Sequence, residues 1–371
     1  MNLVRDIQAC NERQADWRAH SSLVDRTKYR DAVLAACDEG LTFVVRQLLA
    51  WKSRSRAARV VLRGGVGFIL ACRQGHVGTA AMLLERMRGV TSLHRHVGRG
   101  FRVACDAGQT RVVEMLLELQ GLDRVNVHAH KQVALWSACR RGHNGVVAVL
   151  LALSGERRVD VNVRARGGAL HAACHGGHLG VVRQLLALRG ERAVDVHRDN
   201  EAAFRAACRR GHVDVARELL ALRGDRAVDV HALQEAALRG ACARHEFGVV
   251  RLLLTLGNDR LPDVHAKEDS ALRIVCLNRD VVSASWVLAR GTRAFAWVVL
   301  NDPARYNFCL FAVDAWLRTA RAWRMYHARV APLGPDLGKY VCARARRLVW
   351  ARRAVYVAMW RAKQRTEAQA P

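Results

Sequence analysis

Two nearly identical stretches decide the fold. HAACHGGHLGVVRQLLALRGERAVDVH, from His171 to His197, recurs thirty-four positions later as RAACRRGHVDVARELLALRGDRAVDVH, from Arg205 to His231. The parts of a closed core pack against different neighbours and therefore need different residues. In a stack of similar units, each unit buries its apolar face against copies of itself. The repetition predicts a stacked-repeat architecture.

A cysteine marks every unit. The cysteines lie 33 to 35 residues apart: Cys37, Cys72, Cys105, Cys139, Cys174, Cys208, Cys242 and Cys276. Three positions later the first six units have a glycine, which readily adopts the left-handed conformation that ends a helix: Gly40, Gly75, Gly108, Gly142, Gly177 and Gly211. Apolar residues then recur at i, i+3 and i+4, as in Val182, Leu185 and Leu186, which is one helix face. Each unit is predicted to be a helix, a glycine turn and a second helix.

The connections between units, such as RGERAVDVHRDN, carry glycine, charge and a Val-Asp-Val segment too short to form a strand alone. They predict extended loops, with Asp199 or Asn200 capping the next first helix. An aspartate recurs in these loops, at Asp160, Asp195, Asp229 and Asp263. Because a single reaction needs a single constellation, this repetition favours local hydrogen bonding of a turn over catalysis.

The pattern LHAAC..GH from Leu170 to His178, followed by VV..LL and DV(H/N), resembles the ankyrin repeat, and eight units fit it. The resemblance implies an all-α, ankyrin-type helix-turn-helix solenoid of about eight repeats with a helical C-terminal extension. The family's Thr-Pro helix opening is missing from every unit. Units seven and eight have His245-Glu246 and Arg279-Asp280 in place of Gly-His, and we expect these units to be distorted or terminal.

Three regions follow from this reading. Residues 1–30 form a helical N-terminal cap, residues 31–290 form the solenoid, and residues 291–371 form a basic, Trp-rich helical region. The last region holds 15 Lys and Arg against 4 Asp and Glu, and five of the nine tryptophans. We expect its apolar side to close the end of the stack. Binding of nucleic acid, an anionic membrane or another protein remains an alternative for it.

The chain is strongly basic, with a formal net charge of +27 from 60 Lys and Arg against 33 Asp and Glu. Such a surface raises affinity for nucleic acid, acidic proteins or anionic lipid. Only 6 of the cations are lysine, and Ala, Gly and Val are abundant. GC-rich codons are therefore an equally good explanation of the excess. No apolar run could span a bilayer and no secretory signal is visible, so we expect an intracellular protein, cytoplasmic or nuclear.

Metal binding, disulfides and catalysis are not expected. Cys-x3-His occurs four times, at Cys72/His76, Cys139/His143, Cys174/His178 and Cys208/His212, but paired Cys-x2-Cys spacing is missing. We interpret the cysteines as small core residues. They should stay reduced, because stacked helices lie about 8–10 Å apart and a disulfide needs Cα atoms within about 7 Å. No hydrolase, phosphate-loop or metalloprotease motif is present, so we expect neither a cofactor nor an enzyme.

The candidate binding residues come from the resemblance. In ankyrin proteins, the two residues between the small-residue track and Gly-His face the concave surface. This places partner binding at Arg73, Arg140, Arg141, His175, Arg209, Arg210 and Arg244, with Lys131, Arg164 and Arg166 in nearby loops. Arginine forks suit carboxylates and phosphates. The sequence predicts a monomeric, non-enzymatic scaffold that binds an acidic protein through the basic concave face of repeats 4–7. The alternative is nucleic-acid binding through the basic aromatic C-terminal helices.

Overall fold

The computed structural model describes residues 26–51, 64–88, 93–163, 167–264 and 266–277, with two single positions at Ser283 and Val287. These residues fall into two compact units, each made of several repeats. Unit 1 extends up to Asp195, and unit 2 begins at Val196. Residues 1–25 of the predicted cap and the basic region 291–371 lie outside the described residues.

Unit 1 consists of helical hairpins, each holding one repeat cysteine in its first helix. Its helices are α1 Arg26–Asp38, α2 Thr42–Trp51, α3 Val66–Gln74, α4 Val77–Met87, α5 Leu93–Ala107, α6 Thr110–Leu117, α7 Ala129–Arg141, α8 Asn144–Ala152, α9 Gly168–Gly176 and α10 Leu179–Leu186. Short 3-10 turns in the connecting loops span Gly121–Asp123, Gly155–Arg157 and Gly190–Arg192. The hairpins are repeats 1 to 5.

Unit 2 continues the same pattern with repeats 6 and 7 and the first helix of repeat 8. Its helices are α11 Arg198–Arg209, α12 Val213–Leu220, α13 Ala232–Ala243, α14 Phe247–Leu254 and α15 Ala266–Leu277, with 3-10 turns at Gly224–Arg226 and Asn258–Arg260. Among the described residues there is no β-strand in either unit. The predicted all-α class and hairpin repeat are confirmed.

The helices pack in two layers within each unit. First helices pack on first helices (α1 on α3, α3 on α5, α5 on α7, α7 on α9; α11 on α13, α13 on α15), and second helices pack on second helices (α2 on α4 through to α8 on α10; α12 on α14). The i, i+3, i+4 residues of the second helices are buried, including Leu150, Leu185 and Leu219. Every repeat cysteine from Cys37 to Cys242 is buried. Each hairpin therefore buries its apolar face against its neighbours, as the repetition predicted.

Left-handed residues end the first helices. The six glycines that lie three positions after the repeat cysteines, from Gly40 to Gly211, have φ between 75° and 88°. At Gly142 a Cβ would lie 2.4 Å from Nδ1 of His178, so close approach as well as conformation requires glycine. In repeat 7, His245 adopts φ 60° at this position, and α13 and α14 form the usual hairpin. The expected distortion of this repeat was wrong, because one side chain tolerates the left-handed conformation.

The opening of α11 differs from the predicted side-chain cap. Asp199, Asn200 and Glu201 are left-handed, with φ of 50°, 55° and 61°, and no side chain caps the helix start. The carbonyls of Asp199 and Asn200 instead accept hydrogen bonds of 2.8 Å from the Arg205 guanidinium. Arg239 bonds the corresponding turn of α13 in the same way. The predicted cap is thus replaced by a left-handed turn that an arginine satisfies.

Candidate protein-binding surface

The candidate residues lie at the C-terminal ends of the first helices. We call the two residues after each repeat cysteine the cysteine-following pair. Unit 1 places Arg73 in α3, Arg140 and Arg141 at the end of α7, and His175 in α9; unit 2 places Arg209 at the end of α11, Arg210 directly after it and Arg244 after α13. The arginines are exposed and His175 is half-buried. Lys131 was predicted to lie in a loop, but it belongs to α7, because that helix begins at Ala129; its side chain is not described. Arg164 and Arg166 lie outside the described residues.

Two of the predicted arginines meet a carboxylate from the preceding repeat. Arg73 Nη2 lies 3.3 Å from Asp38 Oδ1, and Gln74 donates to the same oxygen at 2.9 Å. Arg141 Nε lies 2.8 Å from Asp106 Oδ1. These exposed pairs contribute at most about 1 kcal/mol each to stability. They nevertheless neutralise charge at the points where a partner was expected to bind.

Arg140 is held differently, over an aromatic ring. Its guanidinium carbon lies 5.2 Å from the ring centroid of Trp136, one helical turn earlier in α7, within the range of a cation–π interaction. On the neighbouring first helix α9, the rings of His171 and His175 have the same i, i+4 spacing, with centroids 6.1 Å apart. Trp136 and His171 were not among the residues predicted from the sequence. Both residues lie three positions before a repeat cysteine, and this shared position could have identified them in the sequence.

The cysteine-following pairs of unit 2 contain no carboxylate. They read Arg209-Arg210, Ala243-Arg244 and Leu277-Asn278. The carboxylates that neutralise arginines in repeats 2 and 4 have no counterpart at these positions. The ends of α11 and α13 present the exposed Arg209, Arg210 and Arg244, and the Glu246 carboxylate lies close to Gly211, directly after Arg210.

Residues 169–201, covering α9, α10, the following 3-10 turn and the opening of α11, match the family model of the ankyrin repeat. The same hairpin recurs with a buried cysteine and a left-handed turn in the repeats on both sides. The chain is an ankyrin-repeat protein. No curated protein matches its sequence.

Some of the ankyrin-repeat arginines have a structural role. Arg157 Nη1 and Arg260 Nη1 each donate, at 2.8 Å, to the last carbonyl of the second helix one repeat earlier, at Leu117 and Leu220. Arg192 donates likewise to Leu151. Burial and a neighbouring arginine lower the pKa of Arg157 and of Arg260. A cation at a helix C-terminus satisfies orphan carbonyls and complements the helix dipole. Part of the positive charge thus serves the ankyrin stack itself.

The Gly-His histidines link consecutive ankyrin repeats. The Nε2 atoms of His76, His143 and His178 donate to the carbonyls of Asp38, Asp106 and Arg140 at 2.9, 2.8 and 2.9 Å. In repeat 3, Gln109 Nε2 makes the equivalent bond to the Arg73 carbonyl at 3.0 Å. Each accepting carbonyl belongs to the first residue of a cysteine-following pair. The histidines therefore also position the backbone of the candidate surface.

The repeat cysteines are structural, as predicted. Burial raises the pKa of Cys37 and of Cys72 to about 12, with the charge of Asp38 adding to the effect at Cys37. Thiols with such pKa values carry almost no thiolate at neutral pH and are chemically inert. Within the described part of the chain, no group of His, Cys, Asp and Glu is arranged to hold a metal ion. Among the same residues, no helix combines the length and apolar character needed to cross a membrane.

The loop aspartates form local turns. Asp160 Oδ1 accepts the backbone N–H of Asn162, and Asp229 Oδ1 accepts that of His231, both at 2.8 Å. Asn126 Oδ1 makes the same contact with His128 at 2.9 Å. These are Asx turns, in which a side chain replaces a backbone turn bond. The predicted turn role is confirmed for Asp160 and Asp229.

Proposed function

We propose that the protein is a non-enzymatic ankyrin scaffold that binds an acidic protein through the arginines of its cysteine-following pairs in repeats 4–7. Ankyrin repeats act as protein-interaction modules, which supports binding rather than catalysis. The observation that carries the acidic partner is that Arg209, Arg210 and Arg244 are exposed in a row of pairs without a carboxylate. Arg140, stacked on Trp136, extends the proposal to repeat 4.

The rigidity of the repeats supports this role. The Arg140 backbone is held by His178 of the next repeat, and buried first-helix cysteines pack behind the surface. A preformed surface loses little conformational entropy on docking, and arginine forks pair with carboxylates while accelerating encounter. The partner would be recognised by shape and by carboxylates presented to consecutive repeats.

The test is capture of partners from nuclease-treated lysate at physiological salt by the full chain and by a quadruple variant. The variant replaces Arg140, Arg141, Arg209 and Arg210 by Ser. A matched control replaces four exposed arginines of second helices, removing the same charge elsewhere: Arg46, Arg111, Arg183 and Arg251. We expect an acidic protein to be retained by the wild type and the control and lost by the quadruple variant, with the three melting temperatures nearly equal.

Three results would oppose the proposal. Equal loss of the partner in both variants would show that net charge, and not this surface, drives binding. A large fall in the melting temperature of the quadruple variant alone would show that these arginines are structural. Retention that disappears with the nucleic acid would instead favour the second candidate, nucleic-acid binding through the basic Trp-rich region 291–371, which five tryptophans and its excess of arginine suggest.

The proposal includes a monomer inside the cell, in the cytoplasm or nucleus. The buried thiols from Cys37 to Cys242 suit a reducing compartment. Light scattering after size exclusion tests the monomer, since a dimer would give twice the 41.3 kDa chain mass. Microscopy of the tagged full chain tests the compartment.

A further inference from the structure

Two histidines in the loops of unit 2 each lie between two hydrogen-bond acceptors. His197 Nδ1 is 2.6 Å from Glu201 Oε1, and its Nε2 is 2.6 Å from the Asp225 carbonyl oxygen. His231 repeats the arrangement with Glu235 Oε1 and the Asp259 carbonyl, at the same two distances. A carbonyl oxygen can only accept, and an ionised carboxylate can only accept. Both ring nitrogens of each histidine therefore face atoms that need a proton.

Each His–Glu pair must hold two protons to form both bonds. One proton lies on Nε2, towards the carbonyl, and the second lies between Nδ1 and the carboxylate oxygen. The count is the same whether the second proton belongs to the imidazole or to the carboxyl group, because two bonds to accepting oxygens need two protons in all. In an unfolded chain at pH 7.5, each pair would hold about one proton, which is the N–H of the neutral imidazole. The imidazole would rarely carry a second proton, and the glutamate would almost always be ionised. Folding therefore takes up a proton at each pair.

The surrounding structure holds the carboxylates in place. Glu201 and Glu235 are only 2 % and 3 % exposed, and both belong to left-handed turns with φ 61°. Within the described residues their second oxygens, Oε2, have no hydrogen-bond partner. Glu201 Oε1 also accepts the Asp229 N–H, at 3.3 Å, but a buried carboxylate with so few donors still depends strongly on its short bond to histidine. The pair cannot lose its histidine proton without leaving this group poorly satisfied.

The same loop position in unit 1 needs no extra proton. Asn162 donates from Nδ2 to the Ala193 carbonyl at 2.9 Å and accepts the Asp195 N–H at its Oδ1 at 3.0 Å. His128 donates to the Glu156 carbonyl at 2.9 Å, and four residues later stands Gln132, an amide, in place of a glutamate. Unit 1 therefore provides an internal comparison in which the loop link is not an acid–base pair.

We propose that the His197–Glu201 and His231–Glu235 pairs are proton-dependent links that make unit 2 sensitive to alkaline pH while unit 1 is not. Below the pH at which a pair gives up its second proton, both bonds join consecutive loops. Above it, one bond per pair is lost and the loop of that repeat loosens. This inference is independent of the partner and of the basic surface.

The groups around His231 favour its protonated form. The Asp259 carbonyl in the 3-10 turn and Glu235 on α13 are the main causes that raise the pKa of His231. The charges of Glu235 and of Asp229 in its own loop add to this, while burial acts against it. A histidine with a raised pKa stabilises the fold fully below about pH 6.5, and this contribution is lost as pH rises through the folded pKa.

The first experiment is an NMR titration of the histidine rings in the ¹⁵N-histidine-labelled full chain. The variants His197→Asn and His231→Asn assign the two signals, and the Asn side chain reproduces the Asn162 link. We expect both rings to remain doubly protonated at pH values above about 6.5, where a free imidazole loses its second proton. Ordinary titration of both rings near 6.5 would overturn the proposal, even if the variants failed to fold.

The second experiment is hydrogen exchange with mass spectrometry on the full chain between pH 6 and 9, corrected for intrinsic exchange. Between about pH 6.5, where a free imidazole loses its second proton, and the pKa of the folded pair, protection of the peptides from α11 to α14 should fall roughly tenfold per pH unit for each pair that an opening breaks. Protection of the peptides from α7 to α10 should stay level. The double variant Glu201→Gln, Glu235→Gln should remove the dependence, because an amide can donate to a neutral Nδ1. Equal pH dependence in both sets of peptides, or a dependence that survives the double variant, would contradict the proposal.

Discussion

Nε2 of His178 donates a hydrogen bond of 2.9 Å to the backbone carbonyl of Arg140, one repeat earlier. This bond joins repeat 5 to the candidate binding surface of repeat 4. The histidine belongs to the Gly-His turn, and the carbonyl belongs to a residue proposed to bind the partner. The ring also lies beside Gly142, where a side chain would collide with it. One hydrogen bond therefore links two consecutive hairpins and fixes the position of the Arg140 backbone.

The first prediction concerns this bond. His178→Ala should lower the free energy of unfolding by about 1–2 kcal/mol, because a hydrogen bond is lost and its carbonyl acceptor is left without the ring. His178→Gln should retain most of the stability, since Gln109 already makes the same contact to Arg73 at 3.0 Å. Urea unfolding of the two variants measures the difference. Equal stability of the two would show that the bond contributes little.

The second prediction uses the left-handed residue of repeat 7. His245 adopts φ 60° where other repeats have glycine, and a non-glycine residue pays about 1 kcal/mol or more for this conformation. His245→Gly should therefore raise the free energy of unfolding by up to about 1 kcal/mol, partly offset by the greater entropy of the unfolded chain. Gly142→Ala should have the opposite sign and a larger size. Thermal unfolding of both variants compares them directly.

The third prediction separates neutralised from available arginines. Asp106→Asn removes the carboxylate that lies 2.8 Å from Arg141 Nε. We expect stability to change by less than about 1 kcal/mol and affinity for the acidic partner to increase, because Arg141 gains freedom to bind it. Asp214→Asn is the matched control, since Asp214 pairs with Arg217 on second helix α12 at 3.2 Å. The proposal expects no gain of affinity in this control.

The fourth prediction concerns the repeat cysteines. Because burial raises the pKa of Cys37 and Cys72 to about 12, these two cysteines should resist alkylation by iodoacetamide at pH 8 in the native chain. The same cysteines should react rapidly after denaturation in guanidinium. Peptide mass spectrometry counts the modified sites. Fast native alkylation at Cys72 would mean that the first helices open easily, contrary to the packing.

A fifth prediction tests the structural arginines. Arg260→Met keeps an apolar stem but removes the donor to the Leu220 carbonyl, and should cost about 1–3 kcal/mol of stability as a charge-assisted hydrogen bond is lost. Exposed Arg251 on α14 provides a matched control, since Arg251→Met should change stability by less than about 0.5 kcal/mol. Urea unfolding at one pH compares the two. Similar effects would show that Arg260 acts only through its apolar stem.

The local sequence pattern was sufficient to predict the hairpins but not how their first helices begin. The spacing of Val182, Leu185 and Leu186 predicted a helix face that the structure buries, because burial against identical neighbours imposes the period on every repeat. The cap expected from Asp199 was wrong, because Arg205 reaches back to the turn carbonyls and stabilises a left-handed conformation. His245 shows the same limit, since a residue type that usually avoids positive φ is accepted there.

The sequence by itself determined the repeat length, the two helices of each hairpin, the buried cysteines and the turn role of Asp160 and Asp229. These features depend on residues close together along the chain and are repeated often enough to be recognised. Only the tertiary structure decided which charged side chains contact other residues of the same chain. Arg141 is neutralised by Asp106, Arg157 and Arg260 cap helices of earlier repeats, and His197 meets Glu201 and the Asp225 carbonyl together. The physical reason is that an ionic or hydrogen-bonded contact depends on distances across packed helices and loops, which the order of residues does not show.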